Sequence, residues 1–240
     1  MFRMKISSAI SAAVLTAALI SPAPLRAGEP LPSPFLFDVY YGDTPIGHHN
    51  VTFEHDGDDL IARVDIALTL KLGFITLYEY SHKIRETVRD GRLVALEASA
   101  DDNGSKKWLR ARLTDKGLKV EGSGGSFTAP PDLLPTTYWR PETPKQSRLL
   151  DTQEGTIINV SIRPIVRKRI ATPDGEEDAT VYAVRGDREF DLLYDDLYKW
   201  LGVHFRFLGG DVNYRPVPPP SRQAKAEPIP AEEGPDNPAR

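Results

Sequence analysis

The densest group of metal-ligating residue types is a histidine-rich stretch near the start of the chain. His48 and His49 are followed by His55 and by an acidic turn at 56–59. On a strand, His48 and His49 point to opposite faces, and His49 and His55 lie roughly 20 Å apart. One ion would therefore need a bulge and a third ligand from elsewhere. The pattern indicates a polar edge strand and an acidic hairpin, and the sequence predicts no metal site.

Carboxylates suited to acid–base catalysis are scattered along the sequence: Glu79, Glu86, Asp191, Asp195 and Asp196. Glycoside hydrolysis needs two carboxylates that face each other across a cleft. The three aspartates are interleaved with leucines and a tyrosine, which is also the pattern of a strand that ends in an acidic turn. The run at 101–104 lacks the alternating ligands and the closing glutamate of a calcium loop, and predicts a turn.

Sequence motifs of the common catalytic classes are missing from the chain. It has no Gly-x-Ser-x-Gly elbow, no phosphate-binding loop and no dinucleotide fingerprint. It contains no cysteine, which excludes a thiolate nucleophile, a cysteine-ligated zinc and a disulfide. The sequence therefore predicts no catalytic residue and no cofactor, and it favours a non-catalytic protein.

Aromatic residues are the side chains that suit the binding of an apolar ligand. Phe74, Tyr78 and Tyr80 fall on one face of a segment that alternates between apolar and polar residues. Tyr138 and Trp139 follow in a proline-rich segment, where a solvent-exposed loop has no use for such large rings. These five residues are the predicted ligand-binding set.

The N-terminal segment has the layout of a secretory signal peptide at residues 1–27. Arg3 and Lys5 precede an apolar run at 6–20, and prolines and the small residue Ala27 follow. That run is shorter than the roughly 20 residues of a membrane-spanning helix. We therefore expect a periplasmic protein, cleaved after Ala27, that is not an integral membrane protein once processed.

Composition divides the rest of the chain into three parts. A linker at 28–34 precedes a single domain at 35–215, and the tail at 216–240 contains eight prolines and no aromatic residue. Such a tail cannot bury enough apolar surface to offset its chain entropy, which predicts disorder. The formal net charge is −4 and the basic residues are dispersed, which argues against a nucleic-acid partner.

Alternation with a period of two dominates the predicted domain. Between Leu60 and Leu70 every even-numbered residue is apolar, which predicts a strand with one buried face. Asp-Gly and Asn-Gly pairs recur at short intervals and favour hairpin turns. Further strands are predicted at 35–41, 46–54, 74–88, 92–100, 106–113, 117–121, 156–169, 179–186, 189–194 and 199–214. The predicted fold is all-β, an antiparallel meander that forms a strongly curved sheet, half-barrel or barrel.

One segment, 122–152, does not fit the strand pattern. It begins with a glycine-rich run and continues through five prolines. A long irregular segment in a compact domain is usually a functional loop or a packed connection. We predict that it covers an open side of the sheet with the rings of Tyr138 and Trp139, and a ligand-gating lid is the alternative.

Several of these segments together resemble a known family. They are Phe37-Asp38-Val39-Tyr40 with Ile46-Gly47-His48-His49, then 74–80, 134–139, 149–155 and Tyr194-Asp195. The sequence resembles the uncharacterised bacterial exported-protein family catalogued as domain of unknown function 6134, over roughly 35–215. That resemblance implies neither an activity nor catalytic residues. The predicted architecture is also loosely similar to the half-barrels of periplasmic lipoprotein carriers, although fold does not fix function.

Two functions are compatible with these features. In the first, the apolar concave face of the sheet binds a lipid or another apolar small molecule. In the second, the protein is a structural or interaction protein of the envelope that acts through a protein partner. The one-sided strands and the aromatic rings favour the first, and the acidic composition and the proline-rich tail favour the second.

Overall fold

The computed structural model describes residues 30–219. The predicted signal peptide at 1–27 lies outside this range, as does the predicted tail beyond residue 219. Fourteen strands account for most of the described chain: β1 Phe35–Tyr41, β2 Thr44–Asp56, β3 Asp59–Leu72, β4 Ile75–Arg89, β5 Arg92–Asp102, β6 Ser105–Thr114, β7 Gly117–Gly122, β8 Gly125–Ala129, β9 Arg148–Asp151, β10 Thr156–Thr172, β11 Gly175–Gly186, β12 Phe190–Tyr194, β13 Trp200–Phe207 and β14 Gly210–Pro216. A single turn of 3-10 helix, Thr143–Lys145, precedes β9.

All fourteen strands form one antiparallel sheet. Its order is β8-β7-β6-β5-β4-β3-β2-β1-β14-β13-β12-β11-β10-β9, so neighbours in the sheet are neighbours in the chain except at β1–β14. That pairing brings the two ends of the domain together, and the Val217 N–H donates to the Leu36 carbonyl over 2.9 Å. The predicted all-β antiparallel meander is confirmed.

The sheet curls almost into a barrel but stays open between its two edge strands, β8 and β9. At one end of this gap the β7–β8 turn meets the β9–β10 turn, since the Gly124 N–H donates to the Glu154 carbonyl over 2.8 Å. Lys107 forms an ion pair with the Glu154 carboxylate at 2.8 Å. Residues 130–147 connect β8 to β9, and the Leu150 N–H donates to the Leu134 carbonyl over 2.8 Å.

One main hydrophobic core occupies the inside of the curled sheet. The even-numbered side chains of β3 from Leu60 to Leu70 are all buried, which confirms the face predicted from their alternation. Side chains from both halves of the sheet belong to the same cluster, for example Leu109 of β6 and Leu192 of β12. Strands far apart in the sheet order therefore share one interior.

Three of the predicted elements differ from the structure. The strand predicted at 199–214 is two strands, because Leu208 and Gly209 adopt positive φ angles and turn the chain between β13 and β14. The segment at 122–152 contains β8 and β9, so its irregular part is shorter, at 130–147. Phe74 lies in the turn between β3 and β4, because Gly73 beside it has a φ of 60°.

Among residues 30–219, no helix is both long and apolar enough to cross a bilayer.

Candidate ligand-binding cavity

A cavity of about 340 Å³ lies inside the curled sheet. Strands β2 to β4 line one side, and β10, β13 and β14 line the other, together with part of the irregular segment. Ligand sites in proteins are typically clefts of about 300–1,000 Å³ with mostly apolar walls. The volume falls at the lower end of that range.

The apolar wall of the cavity comes from the strand with the clearest alternation. Val64, Ile66, Leu68 and Leu70 project from β3 into the cavity at every second position. Side chains of β13 and β14 face them, including Val203 and Val212. A period of two on a sheet with one buried face thus provides a continuous hydrocarbon surface.

An aromatic pair lies at one end of the cavity. Tyr78 of β4 and Phe207 of β13 have ring centroids 4.7 Å apart, although four strands separate β4 from β13 in the sheet. Tyr80 stacks beside Tyr78 at 6.4 Å with an angle of 9° between the rings. Tyr78 and Phe207 are partly exposed, whereas Val64 and Ile84 deeper in the cavity are buried. The end at Tyr78 and Phe207 is therefore the mouth.

A hydrogen-bond network fixes the tyrosines at this mouth. The Tyr78 hydroxyl donates to Asp102 Oδ1 over 2.7 Å, and Gln153 Nε2 donates to Asp102 Oδ2 over 3.0 Å. The Tyr80 hydroxyl lies 3.0 Å from Gln153 Oε1, which can only accept. Burial raises the pKa of Tyr78 and of Tyr80, so both phenols are neutral.

In the same network, two hydrogen-bond acceptors share the single hydroxyl proton of Tyr80. His82 Nε2 lies 3.2 Å from the Thr152 carbonyl, which requires a proton on Nε2. Burial lowers the pKa of His82 to about 4, so the ring is neutral and its Nδ1 carries no proton. That Nδ1 lies 3.0 Å from the Tyr80 hydroxyl. The single proton of Tyr80 therefore has two acceptors, His82 Nδ1 and Gln153 Oε1.

His49 is the second buried imidazole of the cavity wall. Its ring packs against Trp200 at 5.1 Å and Tyr214 at 5.4 Å, and both its nitrogens lack a hydrogen-bond partner. Burial, and to a lesser degree the nearby His82, lowers the pKa of His49 to about 3. His48, the next residue, faces the other side of β2 and contacts Asp65 at 3.0 Å. The predicted opposite orientation of the two histidines is confirmed.

A charged pair lies beside the network at the mouth. Arg188 Nη2 donates to Asp151 Oδ2 over 2.6 Å, and the Asp151 side chain is almost completely buried. The other Asp151 oxygen accepts the backbone N–H groups of Gln153 and Glu154 at 2.9 and 3.1 Å. Those bonds shape the β9–β10 turn and so position Gln153 for its contact with Asp102.

The irregular segment contributes to the cavity and also plugs the sheet. Tyr138 lines the cavity and has a φ of 61°, a backbone conformation that residues other than glycine adopt rarely. The Tyr194 hydroxyl donates to its carbonyl over 2.7 Å, which helps to hold this backbone conformation. The indole of Trp139 does not line the cavity, and its Nε1 donates to Glu86 Oε1 over 3.1 Å. Burial raises the pKa of Glu86.

The structure brings together three of the five predicted ligand-binding residues. Tyr78, Tyr80 and Tyr138 line the cavity. Trp139 packs away from it against Phe53, at a ring distance of 5.1 Å. The Phe74 side chain is 97% exposed on its turn and does not line the cavity.

Other cavity residues gave weaker sequence signals. His49 and His82 are in the cavity wall, yet only the metal hypothesis drew attention to His49. Gln153 and Arg188 are polar residues of turns, and nothing in their sequence context relates them to Tyr80. The alternation of Val203, Phe205 and Phe207 was a usable signal, because all three line the cavity.

The five carboxylates considered for catalysis do not meet. Asp191 contacts Arg185 at 3.1 Å, Asp196 contacts Arg167 at 2.8 Å, and the Asp195 side chain accepts backbone N–H groups of its own turn. Glu86 is buried on β4 beside Trp139, and Glu79 is exposed. The carboxylates that do line the cavity are Asp151 and Glu189. Within the described range, no three His, Asp or Glu residues are arranged to hold a metal ion.

Comparisons with known proteins agree with the all-β architecture. A family model described as "Domain of unknown function (DUF6134)" matches residues 37–217. The chain is also similar to the crystal structure of a beta-barrel-like protein of Domain of Unknown Function DUF1849 from Brucella abortus. The TM-score is 0.51 at 9% sequence identity, over 78% of this chain and 96% of that one. No curated protein matches the sequence.

Proposed function

This chain belongs to the family described as Domain of unknown function (DUF6134), and we propose that it is an exported, non-catalytic binding module that holds a lipid or another apolar ligand in the periplasm. The observation that carries the proposal is the cavity inside the curled sheet. Its wall is hydrocarbon along β3, and the polar groups around Tyr80 lie just inside the mouth, which suits an amphiphile whose chain lies inside and whose polar group lies at Tyr80.

The hydrogen bonds at the mouth favour a ligand that can donate a hydrogen bond. Tyr80 supplies one proton to two acceptors, so a hydroxyl or amide group of the ligand would satisfy the one that is left over. A buried acceptor without a donor costs about 1–3 kcal/mol, and a donor from the ligand recovers that cost. Arg188 and Glu189 at the mouth add charged contacts for a zwitterionic head group.

The first test is native mass spectrometry of residues 28–240 purified from their own envelope, before and after organic extraction. We expect an additional mass of lipid size that extraction removes. A protein that carries no such mass, and that takes up no lipid when it is incubated with an envelope extract, would exclude the proposal. Cross-linking would then address the alternative, an envelope protein partner.

A matched pair of variants on β3 tests the location of the ligand. Ile66→Phe narrows the cavity, whereas Ala67→Phe adds the same ring to the opposite face of the strand. We expect Ile66→Phe to weaken ligand uptake about tenfold or more, since the phenyl ring occupies volume that the ligand needs. Equal uptake by both variants, each checked by circular dichroism, would place the ligand elsewhere.

A further inference from the structure

The exposed apolar side chains of the described chain concentrate at the mouth of the cavity. Half of the ten large ones lie at the tips of two hairpins, and we call these five the apolar rim: Leu72, Phe74, Ile75, Leu77 and Leu208. The first four belong to the β3–β4 hairpin and Leu208 belongs to the β13–β14 hairpin. The contact between Tyr78 and Phe207 joins the two hairpins just below the rim.

The β3–β4 hairpin projects beyond the strands on either side of it. On one side, the pairing of β2 with β3 ends at Gly47–Leu68. On the other side, the pairing of β4 with β5 ends at Tyr80–Asp102. Residues 71–77 therefore form a two-stranded ribbon that stands free of the sheet, and its last pair is Leu72–Ile75.

The shape of this ribbon suits a lipid surface better than a protein partner. A stable protein interface buries about 800 Å² on each side in a well-packed patch, whereas the apolar rim is a narrow tip whose Phe74 is 97% exposed. An interfacial segment needs only to place apolar side chains about 5–10 Å into the boundary of the bilayer. Pairing within the ribbon satisfies the backbone close to its tip, which lowers the cost of leaving water.

Charge at the base of the ribbon indicates the kind of surface. Lys71 and Glu79, one of each sign, flank the apolar residues, so the ribbon has no basic excess to attract anionic lipids. Attachment by apolar insertion should therefore occur on zwitterionic bilayers and change little with salt concentration. Leu70 and Tyr78, next to the rim on the same two strands, line the cavity, so the apolar surface continues from the tip to the interior.

We propose that the apolar rim inserts into the surface of a zwitterionic lipid bilayer and places the mouth of the cavity against the lipid from which the ligand is taken. This inference rests on the proposed function for its purpose. The docking step itself can be measured on the extracted, ligand-free protein.

Tryptophan substitution on the rim tests the docking step directly. Phe74→Trp places an indole at the ribbon tip, and Leu197→Trp places one at another turn, where the native leucine is 85% exposed. With phosphatidylcholine vesicles, we expect a blue shift of the added emission and quenching by brominated lipid for Phe74→Trp alone. Absence of quenching at position 74, or equal quenching at both positions, would overturn the inference.

Loss of the ring provides the second measurement. We expect Phe74→Ser to partition onto the same vesicles about tenfold more weakly than wild type, and Leu197→Ser to partition like wild type. The thermal transition should not change, since the ring has almost no contacts to lose. Unchanged partitioning of Phe74→Ser would contradict the rim as the inserting element.

Loading from vesicles separates this inference from the proposed function. Vesicle insertion without any transfer of lipid into the protein would support the docking surface and exclude the lipid-binding function. Uptake of lipid without insertion at Phe74 would support the binding function and exclude the apolar rim as the inserting element. Cross-linking of the rim to a protein, without quenching by lipid, would also exclude it.

Discussion

At the scale of single residues, the interior is notable for two buried histidines, His49 and His82, that are neutral. Burial lowers the pKa of His49 to about 3 and that of His82 to about 4. An unfolded histidine takes up a proton near pH 6.5, so below that pH the unfolded chain binds protons that the folded chain does not. The stability that depends on these neutral rings is complete above pH 6.5 and falls as the pH is lowered toward the folded pKa.

The replacement His49→Phe tests this acid sensitivity. The aromatic ring remains packed against Trp200 and Tyr214, but the group that must stay unprotonated is removed. We expect the free energy of unfolding to fall less between pH 7 and pH 5 than in wild type, by on the order of 1 kcal/mol. Urea unfolding of ligand-free protein at the two pH values measures the difference.

His48→Phe is the control, since it removes an imidazole from the opposite face of the same strand. If both variants change the pH dependence of unfolding equally, the effect does not come from burial of His49.

At the scale of elements, strand pairing decides where side chains point, and one glycine is essential to it. Gly47 lies where the register of β1 and β2 shifts, and it has a φ of 148°. A Cβ atom added there would overlap the carbonyl oxygen of Ala67 on the neighbouring strand. No rotation of a side chain relieves such a contact with backbone, so β2 and β3 would have to separate beside the cavity wall.

Gly47→Ala should accordingly be strongly destabilising. We expect a loss of about 3 kcal/mol or more in the free energy of unfolding, at the upper end of single substitutions. Gly42→Ala is the matched control, because Gly42 also has a positive φ but has no atom within 4 Å of the added Cβ. Its cost should be about 1–2 kcal/mol, the penalty of the left-handed conformation alone. Equal losses for the two variants would show that the close approach to Ala67 is not decisive.

At the scale of the whole molecule, the sheet is a ring of strands with one opening. The chain begins and ends side by side at β1 and β14, and the opening between β8 and β9 lies far from both ends in the strand order. The β7–β8 and β9–β10 turns bridge this opening through Gly124, Glu154 and Lys107. The cavity therefore depends on contacts between residues that are distant in the sequence.

Circular permutation tests this arrangement. Residues 34 and 217 are joined by a short glycine linker, and new ends are made either between Asp174 and Gly175 or between Glu154 and Gly155. We expect the first permutant to keep a cooperative thermal transition, because its new ends lie in an exposed hairpin turn. The second should melt several degrees lower, since it opens the turn that joins the two edges. The reverse order of stability would contradict the bridging role of Glu154.

The sequence alone determined the fold class and the buried face of the principal strand. A period of two from Leu60 to Leu70 requires one apolar face, and frequent glycine turns require neighbouring strands to pair antiparallel, so both are local properties. The same local reasoning failed at Phe74 and at 199–214. Alternation continues there through the turns, and a turn reverses the chain without changing the pattern of residue types.

Only the tertiary structure decided which side chains meet. The mouth of the cavity joins Tyr78 to Phe207, and Tyr80 to Gln153, pairs that lie far apart in the sequence. The curvature of the whole sheet sets these contacts, and curvature accumulates over many strands rather than residing in any one of them. Periodicity therefore identified the cavity wall on β3, whereas the curvature of the whole sheet had to be known before the opposite wall, the mouth and the exposed rim could be located.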